Sequence, residues 1–215
     1  MSTAEFSEVE RAAVYRAIRE RRDMRHFSGG SVPADQLSRL LAAAHQAPSV
    51  GLMQPWRFVR ITRPELRAAI YQLVDEERRA TAEALGERAE DFMRLKVEGV
   101  LDCAELLVAA LPEGREQHVF GRRTLPEMDL ASVGCAIQNL WLAARAEGLG
   151  LGWVSLFDPL GLAQLLGMPL GAKPVAVLCL GPVEAFYAEP MLVEQGWTTS
   201  RPLSELLFTD QWEPS

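Results

Sequence analysis

Apolar residues recur along this chain at two spacings, and each change of spacing marks an element. The strongest helical pattern lies between Leu125 and Gly148, where Leu130, Val133, Ile137, Leu140, Trp141 and Ala144 form one stripe. Cys135, Ala136, Leu142 and Ala143 fall outside that stripe, so the helix is apolar nearly all round and belongs in a core or a subunit interface. Asp129 is placed to cap its start and Gly148 to end it. Gly150 and Gly152 then lead into Trp153-Val154-Ser155, where glycine permits either close approach to a flat ligand or a tight turn, the turn being the simpler meaning.

Towards the N-terminus, Ser7 is placed to cap a helix in which Val14, Ala17 and Ile18 share a face. Pro33 opens a second helix carrying Leu37, Leu40, Leu41 and Ala44. Pro48, Gly51 and Pro55 interrupt helix before Trp56 to Ile61 alternates like a half-buried strand. Pro64 starts a helix with Leu66, Ala69, Ile70 and Leu73 on one face. From Asp75 to Glu98 the pattern stays helical but turns charged, with Phe92, Met93, Leu95 and Val97 as scattered apolar anchors. That excursion reads as a surface helical hairpin or as a lid. Leu106 to Leu111 and Pro174 to Gly181 read as buried strands, the first followed by a loop over 112–129 and the second preceded by a short helix from Pro159 to about Gly167. After Glu184 no period is visible, and Leu203, Leu206, Leu207 and Phe208 need a partner surface.

At 215 residues, 48% apolar and 24% charged, the chain is expected to be one soluble domain with a full core and no need of disulfides. The net charge of -7, with no basic run to overcome it, argues against nucleic acid as a partner. No apolar segment is long enough to span a membrane, and the N-terminus lacks a signal-peptide core, so the expected location is cytoplasmic. Cys103, Cys135 and Cys179 are odd in number and widely spaced, which reads as buried reduced thiols. His26, His45 and His118 are too scattered for metal ligation, and His45 reads as a structural histidine, so no metal is expected.

Four arginines lie between Arg19 and Arg25. They are either a solvated helix end or an anion site, with Asp23 as their ion-pair partner or as a carboxylate reserved for chemistry. Nucleophile elbow, P-loop and dinucleotide fingerprint are all missing; Gly148-Leu149-Gly150-Leu151-Gly152 follows a helix and enters a strand, the reverse of the dinucleotide order.

Four segments together resemble the flavin-dependent nitroreductase superfamily: RRDMRHF, APSVGLMQPWRF, CAIQNLWLAARAEGLGLGWVS and the late Arg201-Pro202-Leu203. Within it, RLKVEGV, GRRTLPEMDL and GWVSLFDP resemble the aerobic 5,6-dimethylbenzimidazole synthase branch, and the resemblance covers about Arg19 to Leu203. It implies an α+β fold, a mixed β-sheet flanked by helices, in an intertwined homodimer. The chain would be a single domain over 1–215, with 75–98 as a candidate lid and 184–215 as an extension wrapping the dimer. Arg21, Arg22, Arg25 and Arg201 would grip the phosphate and ribityl chain of FMN, with Met24, Ser49, Leu52, Gln54 and Gly152 also lining the flavin. Leu52 stands where ordinary nitroreductases commonly place an asparagine on the flavin pyrimidine, and Asp23 replaces a small hydroxyl residue. Asp23 is thereby the candidate for proton transfer and Ser155 for hydrogen bonding near the flavin N5. The reaction implied takes reduced FMN as substrate and O2 as co-substrate, gives 5,6-dimethylbenzimidazole and erythrose 4-phosphate, and draws its reduced flavin from a separate reductase. The alternatives are an NAD(P)H-dependent nitroreductase or flavin reductase and a non-catalytic flavin-binding protein.

Overall fold

The structure, a computed structural model, describes residues 5–96 and 98–212. Val97, one of the expected anchors, and the last three residues of the tail lie outside the described residues. Helix α1 (Glu8–Glu20) starts at a capping box: the Ser7 side chain accepts from the Glu10 N–H while the Glu10 carboxylate accepts from the Ser7 N–H, which is worth about 1 kcal/mol. None of its residues is buried. Helix α2 (Ala34–His45) buries Leu37, Leu40 and Ala44, as the spacing predicts. His45 at its end accepts from the Trp56 indole N–H at 3.3 Å, the structural role expected of it.

There follow β1 (Arg57–Ile61), α3 (Pro64–Ala84), α4 (Ala89–Arg94), β2 (Glu105–Leu111), α5 (Met128–Ala146), β3 (Gly150–Val154), α6 (Pro159–Leu165), β4 (Lys173–Gly181) and α7 (Met191–Glu194). The stretch expected to stay helical from Asp75 to Glu98 is broken. α3 ends at Ala84, Gly86 turns the chain at φ +57, and α4 stops at Arg94. Glycine takes that left-handed conformation without steric cost.

The strands form one antiparallel sheet in the order β1-β2-β4-β3. The mixed character expected of it is confined to one isolated parallel bridge, between Asp23 and Leu151. Because side chains alternate across a strand, β2 and β4 feed two cores. Leu107, Ala109, Leu178 and Leu180 pack with Leu40, Ile137 and Leu140 of α2 and α5. Leu106, Val108, Val177 and Cys179 pack with Ile70, Val74 and Leu162 of α3 and α6. The sheet is thus sandwiched between helices, which accounts for the burial of every residue of β2.

Within α5, Val133, Ile137, Leu140, Trp141 and Ala144 are buried as their stripe predicts, but Leu130 is exposed. Asp129 is not the cap. It lies in the first turn, buried, and accepts from Arg115 at 3.0 Å and Arg122 at 2.9 Å, clasping the preceding loop to the helix. A carboxylate there also suits the positive end of the helix dipole. Cys103 and Cys179 are buried and free, whereas Cys135 is exposed on the outer face of α5.

Gly148 ends α5 at φ +77. Gly150 and Gly152 do not form the tight turn that was the simpler meaning. They lie within β3, and a Cβ on Gly152 would overlap the Met24 carbonyl oxygen. Among the described residues no helix is long and apolar enough to cross a membrane. The chain exposes 13375 Å², whereas a compact monomer of 23.8 kDa would expose about 9,900 Å². Phe6, Val9 and Tyr15 at one end and Leu203, Leu207 and Trp212 at the other are among the large apolar side chains left in solvent.

Candidate functional site

Beyond Glu20 the chain leaves its helix and runs along the free edge of β3. Arg21 is extended at φ -62, ψ 135. The Trp141 indole N–H donates to the Arg22 carbonyl at 3.0 Å, and the Met24 N–H donates to the Leu151 carbonyl at 3.0 Å. Held at these two points, the ribbon alternates its side chains. Met24 turns inward and is only 1% exposed, over the two glycines of β3. Asp23 and Arg25 meet on the other side, with Arg25 Nη2 2.5 Å from Asp23 Oδ2. Both also bind the strand: the Trp153 N–H donates to Asp23 Oδ1 at 2.9 Å, and Arg25 Nη2 donates to the Trp153 carbonyl at 2.8 Å.

A cleft of about 280 Å³ opens beside this ribbon, walled by Arg21, Arg22, Asp23 and Arg25 on one side and by Pro190 to Val193 and Thr198 to Ser200 on the other. Three arginines and one carboxylate share that wall, and the Arg21 guanidinium lies over the Trp141 ring. The Arg22 Nη groups are spent on the carbonyls of Arg19, Arg21 and Ala188. Arg22 Nε and Arg25 Nη1 are buried with no acceptor among the described residues. A buried donor left unpaired costs about 1–3 kcal/mol, more when charged, so the pair calls for an anion. Burial pushes the Arg21 guanidinium down from its ordinary value; Asp23 opposes this and Arg22 adds to it. Burial likewise pushes the Asp23 carboxyl above the usual carboxylate range, against the opposing pull of Arg25, the Trp153 N–H and Arg21. Solvent still reaches 41% of that side chain, so a proton has a route to it.

The other sequence candidates fall in three places. Ser155 is exposed just past the end of β3, two residues beyond Trp153 and hence about 7 Å along the strand from the amide that holds Asp23. Arg201 follows the cleft-lining Ser200 but points to solvent and pairs with Glu205 at 3.1 Å. Ser49, Leu52 and Gln54 form a strained loop. The Ser49 hydroxyl accepts from the Gln54 N–H at 3.0 Å, and Leu52 and Gln54 sit at φ 51 and 47. Left-handed backbone on such residues costs about 1–3 kcal/mol each, yet Leu52 is 79% exposed, with little packing among the described residues to hold it there.

This loop is not brought to the arginine cleft. Its Val50 N–H donates to Ser132 on α5, whereas the ribbon is held by Trp141 of the same helix. Those two positions lie about 14 Å apart along the axis and on opposite sides of it. A larger cavity of about 490 Å³ lies elsewhere, between α1 and the end of α5, and its Arg16, Glu20 and Arg145 are already paired with one another.

Several working residues escaped the sequence reading. Trp141 stood out as core, but nothing in its spacing said where its N–H would go. Ser132 lay between apolar neighbours as an ordinary helix residue. Tyr187, whose hydroxyl accepts from the Arg25 N–H at 3.1 Å and lies 2.7 Å from His26 Nδ1, comes from the tail where no period is visible.

Residues 18–182 match the model of the Nitroreductase family. The chain is 41% identical over 187 residues to a 5,6-dimethylbenzimidazole synthase of Rhodospirillum rubrum, covering 85% of this chain and 87% of that protein. Among solved structures it resembles a BluB-like flavoprotein from Clostridium difficile 630, with a TM-score of 0.68 at 19% identity over 96% of this chain and all of that one. It also resembles oxidised iodotyrosine deiodinase bound to FMN and 3-iodo-L-tyrosine, with a TM-score of 0.67 at 22% identity over 82% of this chain and 92% of that one.

Proposed function

The chain belongs to the nitroreductase family, and on that premise we propose that it is a 5,6-dimethylbenzimidazole synthase, binding reduced FMN between two copies of itself and fragmenting it with O2. The observation that carries the reading is Asp23: a carboxyl raised by burial, fixed to the edge of β3 between a backbone amide and Arg25, inside an arginine cleft. A plain phosphate grip gains nothing from a carboxylate, since it repels the ligand. A proton-transfer group gains from a raised pKa, which brings it closer to the working pH.

The residues fit the flavin. The orphaned Arg22 Nε and Arg25 Nη1 supply donors for its phosphate, with Arg21 beside them. At about 280 Å³ the cleft is smaller than the roughly 300–1,000 Å³ that encloses a ligand of this size. The flavin ring then extends past the cleft, and the Ser49–Gln54 loop of a second copy, with its exposed Leu52, is the surface we assign to cover it. Bound flavin supplies the redox chemistry. Asp23 takes and returns protons on the ribityl side, Ser155 donates a hydrogen bond at the far end of the same strand edge, and the 75–98 excursion excludes water. Arg201, next to Ser200, joins the phosphate grip by exchanging Glu205 for the ligand. The enzyme works in the cytoplasm as one domain over 1–215, with 184–215 wrapped on the partner and reduced flavin delivered by a separate reductase.

The test is air exposure of the full-length protein loaded anaerobically with reduced FMN. The expected outcome is loss of flavin and appearance of 5,6-dimethylbenzimidazole. Asp23→Asn is expected to bind flavin at least as well and to make about 100-fold less product. Simple return of yellow flavin from the unaltered protein sinks the synthase reading, and NADPH-driven reduction of a nitroaromatic puts it among the reductases instead.

A further inference from the structure

The tail segment that walls the arginine cleft is fastened to a part of the fold the cleft does not otherwise touch. Trp197 directly precedes Thr198, Thr199 and Ser200, which line the cleft opposite the arginines. Its ring packs in a small apolar cluster with Phe92 and Leu95 from the helical excursion and Ala82 from the end of α3. The Phe92 and Trp197 ring centroids are 6.1 Å apart. The Arg88 guanidinium carbon lies 3.5 Å from the Trp197 ring centroid, and Arg88 Nη2 donates to the Trp197 carbonyl at 3.1 Å. Side chain and backbone of one residue are thus both held from the excursion. Arg78 of α3 in turn donates to the carbonyls of Met93 and Leu95, so α4 is tied to α3 as well as to the tail. Leu156, the neighbour of Ser155, packs against the same cluster.

The cluster touches the second core of the sheet through Leu156 and contains few buried residues of its own. Segments with so few buried contacts open at a small fraction of the global unfolding free energy. The tail has no regular element between α7 and residue 203. The Trp197 and Thr198 N–H groups donate to the Leu192 carbonyl at 2.9 and 3.3 Å, which holds the start of the hydroxyl wall to α7, and the Trp197 ring and carbonyl are what tie that wall to the excursion.

We propose that Trp197 is a positioning residue that latches the 82–95 excursion to the Thr198–Ser200 wall, so that an organic phosphate seated between that wall and the arginines draws the excursion down beside Ser155. The ligand part of this rests on the reading of the cleft as the flavin phosphate site. Phosphate oxygens take the orphaned guanidinium donors from one side and the hydroxyls of Thr198, Thr199 and Ser200 from the other. Whatever orders the wall orders Trp197, and through Arg88 and Phe92 it orders α4.

Hydrogen–deuterium exchange on the full chain tests this with the unaltered protein, Trp197→Ala and Trp197→Phe, each without ligand, with FMN, and with riboflavin as the phosphate-free control. Without ligand, Trp197→Ala is expected to speed exchange over 82–95 by roughly 3- to 30-fold, the scale of one lost cation–π contact, and Trp197→Phe to restore most of it. Unchanged exchange over 82–95 in ligand-free Trp197→Ala overturns the latch. In the unaltered protein FMN, and not riboflavin, is expected to slow exchange over both 21–25 and 82–95, and in Trp197→Ala over 21–25 alone. Equal protection of 82–95 in both proteins also overturns the latch. Absence of protection over 21–25 overturns the flavin reading instead, and the ligand-free comparison still decides the fastening. Trp197 is half-buried and outside both main cores, and cooperative thermal unfolding of each variant verifies that it folds.

Discussion

Asp23 carries a cost that the protein does not need for folding. Its raised pKa means that the folded chain favours the protonated carboxyl, with burial the largest cause. Such a group supports folding most below its unfolded value, about pH 3.9, and that support is lost as pH rises through the higher folded value. At neutral pH the ionised carboxylate therefore works against the fold. Asp23→Asn, which cannot ionise, is expected to melt at a higher temperature than the unaltered ligand-free protein at pH 7, with the gain shrinking towards pH 4. A lower melting temperature at pH 7 means that the bonds to Arg25 and Trp153 outweigh the burial. Charges alone left two meanings for the Arg19–Arg25 run. The deciding facts are two unpaired guanidinium nitrogens, and these depend on which carbonyls the chain places nearby. Leu52 and Gln54 were equally closed to sequence reading, since neither residue type favours left-handed backbone.

At the scale of elements, periodicity was a good guide wherever an element has one wet and one dry side. α2, α3 and the stripe of α5 follow it, and so do β1, β2 and β4. It was silent on the ribbon from Arg21 to Arg25, whose shape comes from bonds to distant partners and not from a local pattern. It also misjudged the acidic first turn of α5, because an aspartate that caps and one that pairs with two arginines look alike in sequence. The contact of ribbon and strand is the closest in the site. A methyl group at Gly152 would overlap the Met24 carbonyl, and backbone has little room to retreat. Gly152→Ala is expected to destabilise the protein by about 1–3 kcal/mol, read as a lower denaturant midpoint, and to weaken FMN binding with it. Unchanged stability means that the ribbon is free to lift from β3.

As a whole the chain exposes more surface than a compact monomer of its mass. The excess over a compact monomer is about 3,500 Å² per chain, about 7,000 Å² for two chains, which is more than the roughly 2,000–5,000 Å² that obligate homodimer interfaces bury over both partners. The exposed apolar side chains of α1 and of the tail, with Leu130 and Cys135 of α5, are apolar surface that an interface would cover. Sedimentation at low micromolar concentration is expected to give twice the chain mass, with flavin bound only in that form. A folded monomer that binds FMN rules the shared site out. The all-round apolar helix pointed to this from sequence, but which of its faces meets α2 and the sheet depended on the strand order, which no local pattern encodes.

That strand order also has a consequence in time. β2, buried on every residue, takes its inner edge partner from β4, which is made only after the 112–127 loop, α5, β3 and α6. At 5–20 residues per second a ribosome needs about 3–12 s to travel from the end of β2 to the start of β4. Until β4 is made, β2 has only β1 to pair with, across the α3–α4 connection, and its other edge has no partner. The helices on both sides of it have no finished sheet to rest on. The molecule is therefore most exposed to aggregation during its own synthesis, and the late strand closes both cores at once.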